Sequence, residues 1–200
     1  MKELEYDKTR FNIKMKTILI HSWKDEYIPY IDKDDILTFD DALYSIYHHR
    51  KDISMLPNQK IICIPTGRIL TERKNKSIAT DCYTANNMWL INNDNSAYMI
   101  IDEIKEMMSL GFEIGGHSHF HDRETDPRIL KILNIESKLI TRGKSYYEYD
   151  TQLMIDWFLN VIGYIPKYYA FPYNEETNAF KTYLQSVGFD IFFGKERYSI

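Results

Sequence analysis

The sequence predicts an α/β domain built on a parallel sheet, either open or closed into a barrel. Three observations carry this. Short β-branched apolar runs recur along the chain, with stretches of helical period between them. Polar residues gather immediately after several of those runs, at the strand ends where parallel sheets collect their chemistry. A length of 200 residues with a hydrophobic fraction of 44% suffices for one domain with a real core.

Residues 1–16 are polar and mixed in charge and read as a lead-in to a domain over 17–200. Thr17-Ile18-Leu19-Ile20 is the first strand and ends at His21. Ile36-Leu37-Thr38-Phe39 is the second, closing on Asp40-Asp41. Either carboxylate can cap the helix that Leu43, Ile46 and Tyr47 mark. Lys60 to Ile64 form the third strand, stopped by Pro65-Thr66-Gly67. Residues 68–97 are polar around Trp89-Leu90-Ile91 and read as a long insertion or lid rather than a regular helix. A helix from Ile101 to Met108 follows, with Gly111 suited to its C′ position. The strand Phe112-Glu113-Ile114 then leads into Gly115-Gly116-His117-Ser118-His119-Phe120-His121. Residues 122–145 are polar, with a short helix expected at 129–133. Asp150 or Thr151 can cap a helix reaching Ile162. Lys167 to Phe171 make the fifth strand, stopped by Pro172-Tyr173-Asn174. One more helix, marked by Phe180, Tyr183, Leu184 and Val187, precedes a last strand, Phe189 to Phe193.

The net charge of −4, with no basic block, argues against a nucleic-acid partner. No apolar run approaches the roughly 20 residues of a membrane span. The first residues lack the apolar core of a signal peptide, so the sequence reads as soluble and cytoplasmic. Cys63 and Cys82 make no disulfide framework. The supply of 16 Tyr, 10 Phe and 3 Trp suits stacking on sugar rings or bases, with most of it going to the core. Nothing in the pattern fixes an oligomeric state.

The chemistry gathers at four strand ends: His21, Asp40-Asp41, His117/His121 and Pro172-Tyr173. On a helical turn, His117 and His121 share a face and can grip one metal ion. Two histidines and one carboxylate leave an open position on zinc, and a water there has its pKa lowered to roughly 7. Of the two adjacent aspartates, one can bind metal and the other can face the water; spacing does not decide which. A protonated His opposite can donate to a leaving group. Together these groups describe metal-assisted hydrolysis of an amide or ester.

Three segments resemble the motifs of the polysaccharide deacetylases, carbohydrate esterase family 4. Thr38-Phe39-Asp40-Asp41 is similar to the first, His117-Ser118-His119-Phe120-His121 to the second, and Tyr169-Ala170-Phe171-Pro172-Tyr173 to the third. The motif order is most similar to the poly-N-acetylglucosamine branch, and the likeness covers roughly residues 17–193. It implies a distorted (β/α) barrel of about seven parallel strands. It also implies Asp40 as general base, Asp41, His117 and His121 as ligands of a divalent ion (Zn²⁺ foremost), and His119 as a non-ligand. The backbone N–H of Tyr173 would help form the oxyanion hole. His21, in Ile18-Leu19-Ile20-His21, would be the general acid. The implied activity is removal of an N-acetyl group from an amino sugar or an N-acetylated oligo- or polysaccharide. Two positions depart from the family's pattern: Ala42 and Asn174 stand where Gly is usual. They keep open a catalytically impaired carbohydrate-binding domain, and the missing signal peptide keeps open a deacylase of a small nucleotide- or lipid-linked sugar.

Overall fold

A computed structural model of the chain describes residues 16–72, 81–121 and 146–200. The expected lead-in, apart from Lys16, and the short helix at 129–133 lie outside these residues. Seven strands form one sheet: β1 (Thr17–Ile20), β2 (Ile36–Phe39), β3 (Gln59–Ile64), β4 (Glu113–Gly116), β5 (Tyr168–Ala170), β6 (Ile191–Phe193) and β7 (Tyr198–Ser199). Their order is β6-β5-β4-β3-β2-β1-β7, and every pairing is parallel. Central strands in such a sheet are covered on both faces, which is why β3 reads as a continuous apolar run, buried from Lys60 to Ile64.

The sheet is curled, and chain length requires it. Six spacings of about 4.8 Å would put the outer strands of a flat seven-stranded sheet roughly 29 Å apart. The outer strands β6 and β7 are joined by residues 194–197 alone. The five steps from Phe193 to Tyr198 reach about 18 Å at most. The edges therefore approach one another, and the expected distorted barrel of seven strands is present, with a seam bridged by those four residues.

Helices fill the connections. They are α1 (Tyr44–His48), α2 (Arg50–Ser54), α3 (Cys82–Asn92), α4 (Ile101–Ser109), α5 (Tyr146–Val161) and α6 (Asn178–Ser186). On α4, Ile104 and Met107 are buried, and the Glu103 side chain accepts the N–H of Ile100, capping the first turn. On α5 the pair Met154 and Phe158, and on α6 the pair Phe180 and Leu184, follow the i, i+4 rule of a core-facing stripe. All six residues join one hydrophobic core with Ile20, Phe39, Ile62 and Tyr169 of the sheet. Among the described residues, no helix is long and apolar enough to cross a membrane.

Three expectations are corrected. Residues 82–92 of the supposed lid are a regular helix: Asp81 caps it by accepting the Thr84 N–H at 2.7 Å, and Asn93 ends it with a left-handed backbone. Asp40 and Asp41 cap nothing, because α1 begins beyond them with Leu43 in the cap position. Asp150 and Thr151 are likewise inside α5, not at its start.

Candidate active site

Each sheet strand that leads into the site stops in a sharp turn that aims polar side chains inward. After β2 the chain makes a 3₁₀ turn, Asp40–Ala42, in which Asp41 has φ +70° and Ala42 φ +49°. These are left-handed conformations that cost an L-residue roughly 1–2 kcal/mol each. The turn is fastened from outside: the carbonyl of Ala42 accepts the N–H of Met99 at 2.8 Å, and Leu43 bridges to Tyr98. Ala42 thus occupies a backbone state that a glycine would enter freely.

After β4, residues 117–121 curl back, with Ser118 at φ +62° and His121 at φ +54°. Two buried groups hold this loop. Asp150 reaches from α5 and accepts the N–H groups of His119 and Phe120, both at 2.9 Å. Arg68, only 1% exposed, donates to the carbonyls of Phe120 and His121, both at 3.0 Å, and to the Tyr98 hydroxyl. Its guanidinium lies over the Trp89 ring on α3. His119 turns away from the site. Its Nδ1 lies 2.9 Å from Thr66 Oγ1, and its ring packs so closely on Gly67 that a Cβ there would meet ring atoms Cδ2 and Nε2 at 2.9 Å. Burial pushes the His119 pKa down to about 4.

The loops bring Asp41, His117 and His121 together, with one ligand-capable atom of each within 4.8 Å of the others. His121 Nε2 lies 2.9 Å from Asp41 Oδ1, and His117 Nε2 lies 3.7 Å from both Asp41 Oδ1 and Asp40 Oδ2. The tautomer of His117 follows from its other nitrogen. Nδ1 is 2.8 Å from the carbonyl of Ala170, which can only accept, so Nδ1 carries the proton. Burial pushes the ring's pKa down to about 4, against the pull of Asp40, so it is neutral. Nε2 therefore presents a lone pair to two carboxylates. For Asp41, burial alone would raise the pKa, but His121, His117 and His21 outweigh it and hold the carboxyl well below its usual range. Its Oδ1 is buried without a well-formed hydrogen bond. A lone pair and anionic oxygens converging on one point fit a cation, and two His with one Asp are the donor set of an open zinc site.

Asp40 faces the same space but is held differently. Arg197, from the bridge between β6 and β7, places Nη1 2.8 Å from both carboxylate oxygens of Asp40. The guanidinium also donates to Thr38 Oγ1 at 3.2 Å and to Asn174 Oδ1 at 2.7 Å. Burial pushes the Asp40 pKa up, and Arg197 followed by His117 more than reverses it, so Asp40 is ionised. Asn174, at φ +55°, combines a left-handed backbone with a side chain that braces Arg197. Sequence reasoning missed Arg197, Arg68 and Asp150. Arg197 has no local signal at all, lying in a charged stretch with no periodicity. Arg68 follows β3 at the same sheet edge as the other polar clusters, which was a usable signal.

The remaining expected residues line the same cleft. It encloses about 340 Å³ and is lined in part by His21, Asp40, Asp41, His117, His121 and Tyr173. Tyr173 has φ +57° and sets its ring 5.1 Å from that of His121. Tyr173 and Tyr83 are exposed at the mouth. All six residues expected from the sequence are thus gathered in one place.

No family model and no curated protein matches this sequence. Solved structures do match the fold. IcaB from Ammonifex degensii superposes with a TM-score of 0.53 at 18% identity, over 83% of this chain and 67% of that one. The deacetylase PplD of Streptococcus pyogenes, solved in complex with acetate, gives 0.55 at 11% identity, over 88% and 80%. The BpsB deacetylase domain of Bordetella bronchiseptica gives 0.55 at 14% identity, over 90% and 72%. BC0361, a polysaccharide deacetylase from Bacillus cereus, gives 0.51 at 12% identity, over 88% and 44%, and this chain shares the fold of these structures.

Proposed function

We propose that this chain is a metal-dependent hydrolase that removes N-acetyl groups from amino sugars in an oligo- or polysaccharide. One observation carries the reading: His117 presents an unprotonated nitrogen to the carboxylates of Asp40 and Asp41 in a buried cleft, which only a cation makes stable. The deacetylase fold supports the substrate class. Asp41, His117 and His121 would hold the ion, and when bound it supplies Lewis-acid polarisation and lowers the pKa of water.

Asp40, kept ionised by Arg197, takes a proton from the attacking water as it adds to the acetamide carbonyl. The Tyr173 N–H stabilises the developing oxyanion. His21 gives a proton to the departing nitrogen, so that one amide and one water become acetate and an amine. Exposed Tyr83 and Tyr173 offer ring faces on which a sugar can stack. A cleft of about 340 Å³ takes little more than one sugar unit with its acetamide, the rest of a chain lying across the mouth.

The test is acetate release from N-acetylglucosamine as monomer and as oligomers, with zinc-loaded protein beside Asp40→Asn. Release by the wild type, greater on oligomers and reduced about 10²–10⁴-fold in the variant, is the expected result. No release from any N-acetylhexosamine, or an Asp40→Asn rate equal to wild type, would sink the reading.

A further inference from the structure

The cleft holds a second group of ligand-type atoms that the chemistry above leaves unused. One ligand-capable atom each of His21, Asp41 and Cys82 lie within 4.8 Å of one another. Asp41 is common to this group and to the first, and a carboxylate has two oxygens with which to bridge two ions, as in sites whose ions sit about 3.5–4 Å apart. Asp41 is 3% exposed and lines the cleft, with Oδ1 turned to the first group, 2.9 Å from His121 Nε2.

The wall contributed by α3 strengthens the case. Cys82 opens the helix, and Asn86 stands four residues on, so both fall on one face and both line the cleft. Asn86 Oδ1 is buried with no hydrogen-bond partner among the described residues, which adds an oxygen to the same wall. Asp81, whose carboxylate caps α3 through the Thr84 N–H and Oγ1, places a further negative charge beside Cys82. Cys63, in contrast, is fully buried on β3, within a second small cluster and with its thiol against the Asp40 carboxylate, and is not part of this group.

We propose that His21, Asp41 and Cys82 form a second cation site, selective for a soft divalent ion such as Zn²⁺, that shuts the enzyme off when filled. A site with thiolate, imidazole and carboxylate donors discriminates against Mg²⁺ and Ca²⁺, which take oxygen ligands. Binding releases one proton from the Cys82 thiol to solvent. It also occupies the imidazole nitrogen that His21 would use to protonate the leaving amine, so a rise in free zinc silences the site without displacing the first ion. The inference rests on the proposed ion at Asp41, His117 and His121.

The test uses chelated, then reloaded, full-length protein. Co²⁺ is added stepwise with bound ion counted by native mass spectrometry. Two ions per chain are expected. A near-ultraviolet thiolate-to-cobalt charge-transfer band should appear with the second ion and be absent in Cys82→Ser, which binds one ion. In the unmutated protein, the second equivalent of Zn²⁺ should protect Cys82 from alkylation and reverse the activation given by the first. One ion per chain with no thiolate band would overturn the second site and leave the first standing. One ion with the band would place Cys82 on the first ion and overturn the proposal as well. No bound ion would overturn both readings.

Discussion

Replacing Arg197 by Met removes the guanidinium that faces Asp40 and leaves a carboxylate that is 1% exposed without its main counter-charge. Two unit charges about 4 Å apart, at an effective dielectric constant near 20, attract by about 4 kcal/mol. That corresponds to about 3 pKa units. Burial, which already pushes the Asp40 pKa up, is then opposed chiefly by His117 and His21. The acid limb of the kcat/KM–pH profile should move up by about 1–3 units, so the loss of activity should grow as the pH falls below neutral. Stripping one partner from a buried ion pair also costs about 3–5 kcal/mol. For a chain of this size that is roughly 6–20 °C in Tm. Arg197→Lys keeps the charge but loses the planar fork that spans Asp40 and Asn174, so it should fall between wild type and Met on both scales. Acetate release across pH, with calorimetry on the same samples, measures both. An Arg197→Met protein with an unmoved acid limb and an unchanged Tm would refute the assignment of Arg197 as the residue that keeps Asp40 ionised.

Three further outcomes are expected. Asn174→Gly keeps the left-handed backbone and loses only the brace on Arg197, costing about 1.5–3 kcal/mol, whereas Asn174→Ala adds about 1–2 kcal/mol of backbone strain; urea unfolding should rank wild type above Gly above Ala, and a Gly variant as stable as wild type would remove the brace from the argument. His117 and His119 are held neutral, with pKa values of about 4, while unfolded histidines titrate near 6.5. The unfolded chain therefore takes up more protons between those values, so metal-free protein should lose stability as pH falls from about 6.5 to about 4 and owe nothing to these groups above 6.5. Each contributes a slope approaching 1.4 kcal/mol per pH unit, and His119→Gln should remove one share in urea titrations. Asp150→Asn replaces one acceptor oxygen by a donor beside two loop N–H groups; competition with a chelator should show zinc held about 10–100-fold more weakly, and unchanged retention would count against Asp150 as an anchor of the ligand loop.

The parts of this molecule that sequence reveals are those with local chemistry. Thr17–Ile20 and Lys60–Ile64 are legible because a buried parallel strand must be apolar throughout. His117, His121 and the Asp40-Asp41 pair are legible because histidines four apart and adjacent carboxylates at strand ends are ligand-type side chains at a recognisable spacing. Helix α3 was misread because only Ala85 and Trp89 are fully buried, with Cys82, Met88 and Leu90 packed at the edge of the core, which blurs any apolar stripe, though Asp81 and Asn93 signalled both ends. Asp150 was read as a cap because an Asp near a helix start is usually one. Its partners lie about 30 residues back, where no spacing rule reaches. Arg197 is the extreme case: its meaning comes entirely from the curl of the sheet, which carries it to an aspartate 157 residues away.

The four-residue bridge across the barrel seam gives that curl a functional meaning. Arg197 can sit on Asp40 only while β7 is zipped to β1, a ladder of two residue pairs with both β7 residues exposed. Short exposed ladders belong to the weakest cooperative units of a fold and open at a small fraction of the global unfolding energy. Each opening would withdraw the guanidinium and raise the pKa of Asp40, while Asp41, His117 and His121, in the turns after β2 and β4, stay in place. The pairing of Arg197 with Asp40 is then tied to the seam, and hydrogen exchange at the β7 amides would read the fraction of time the seam is closed.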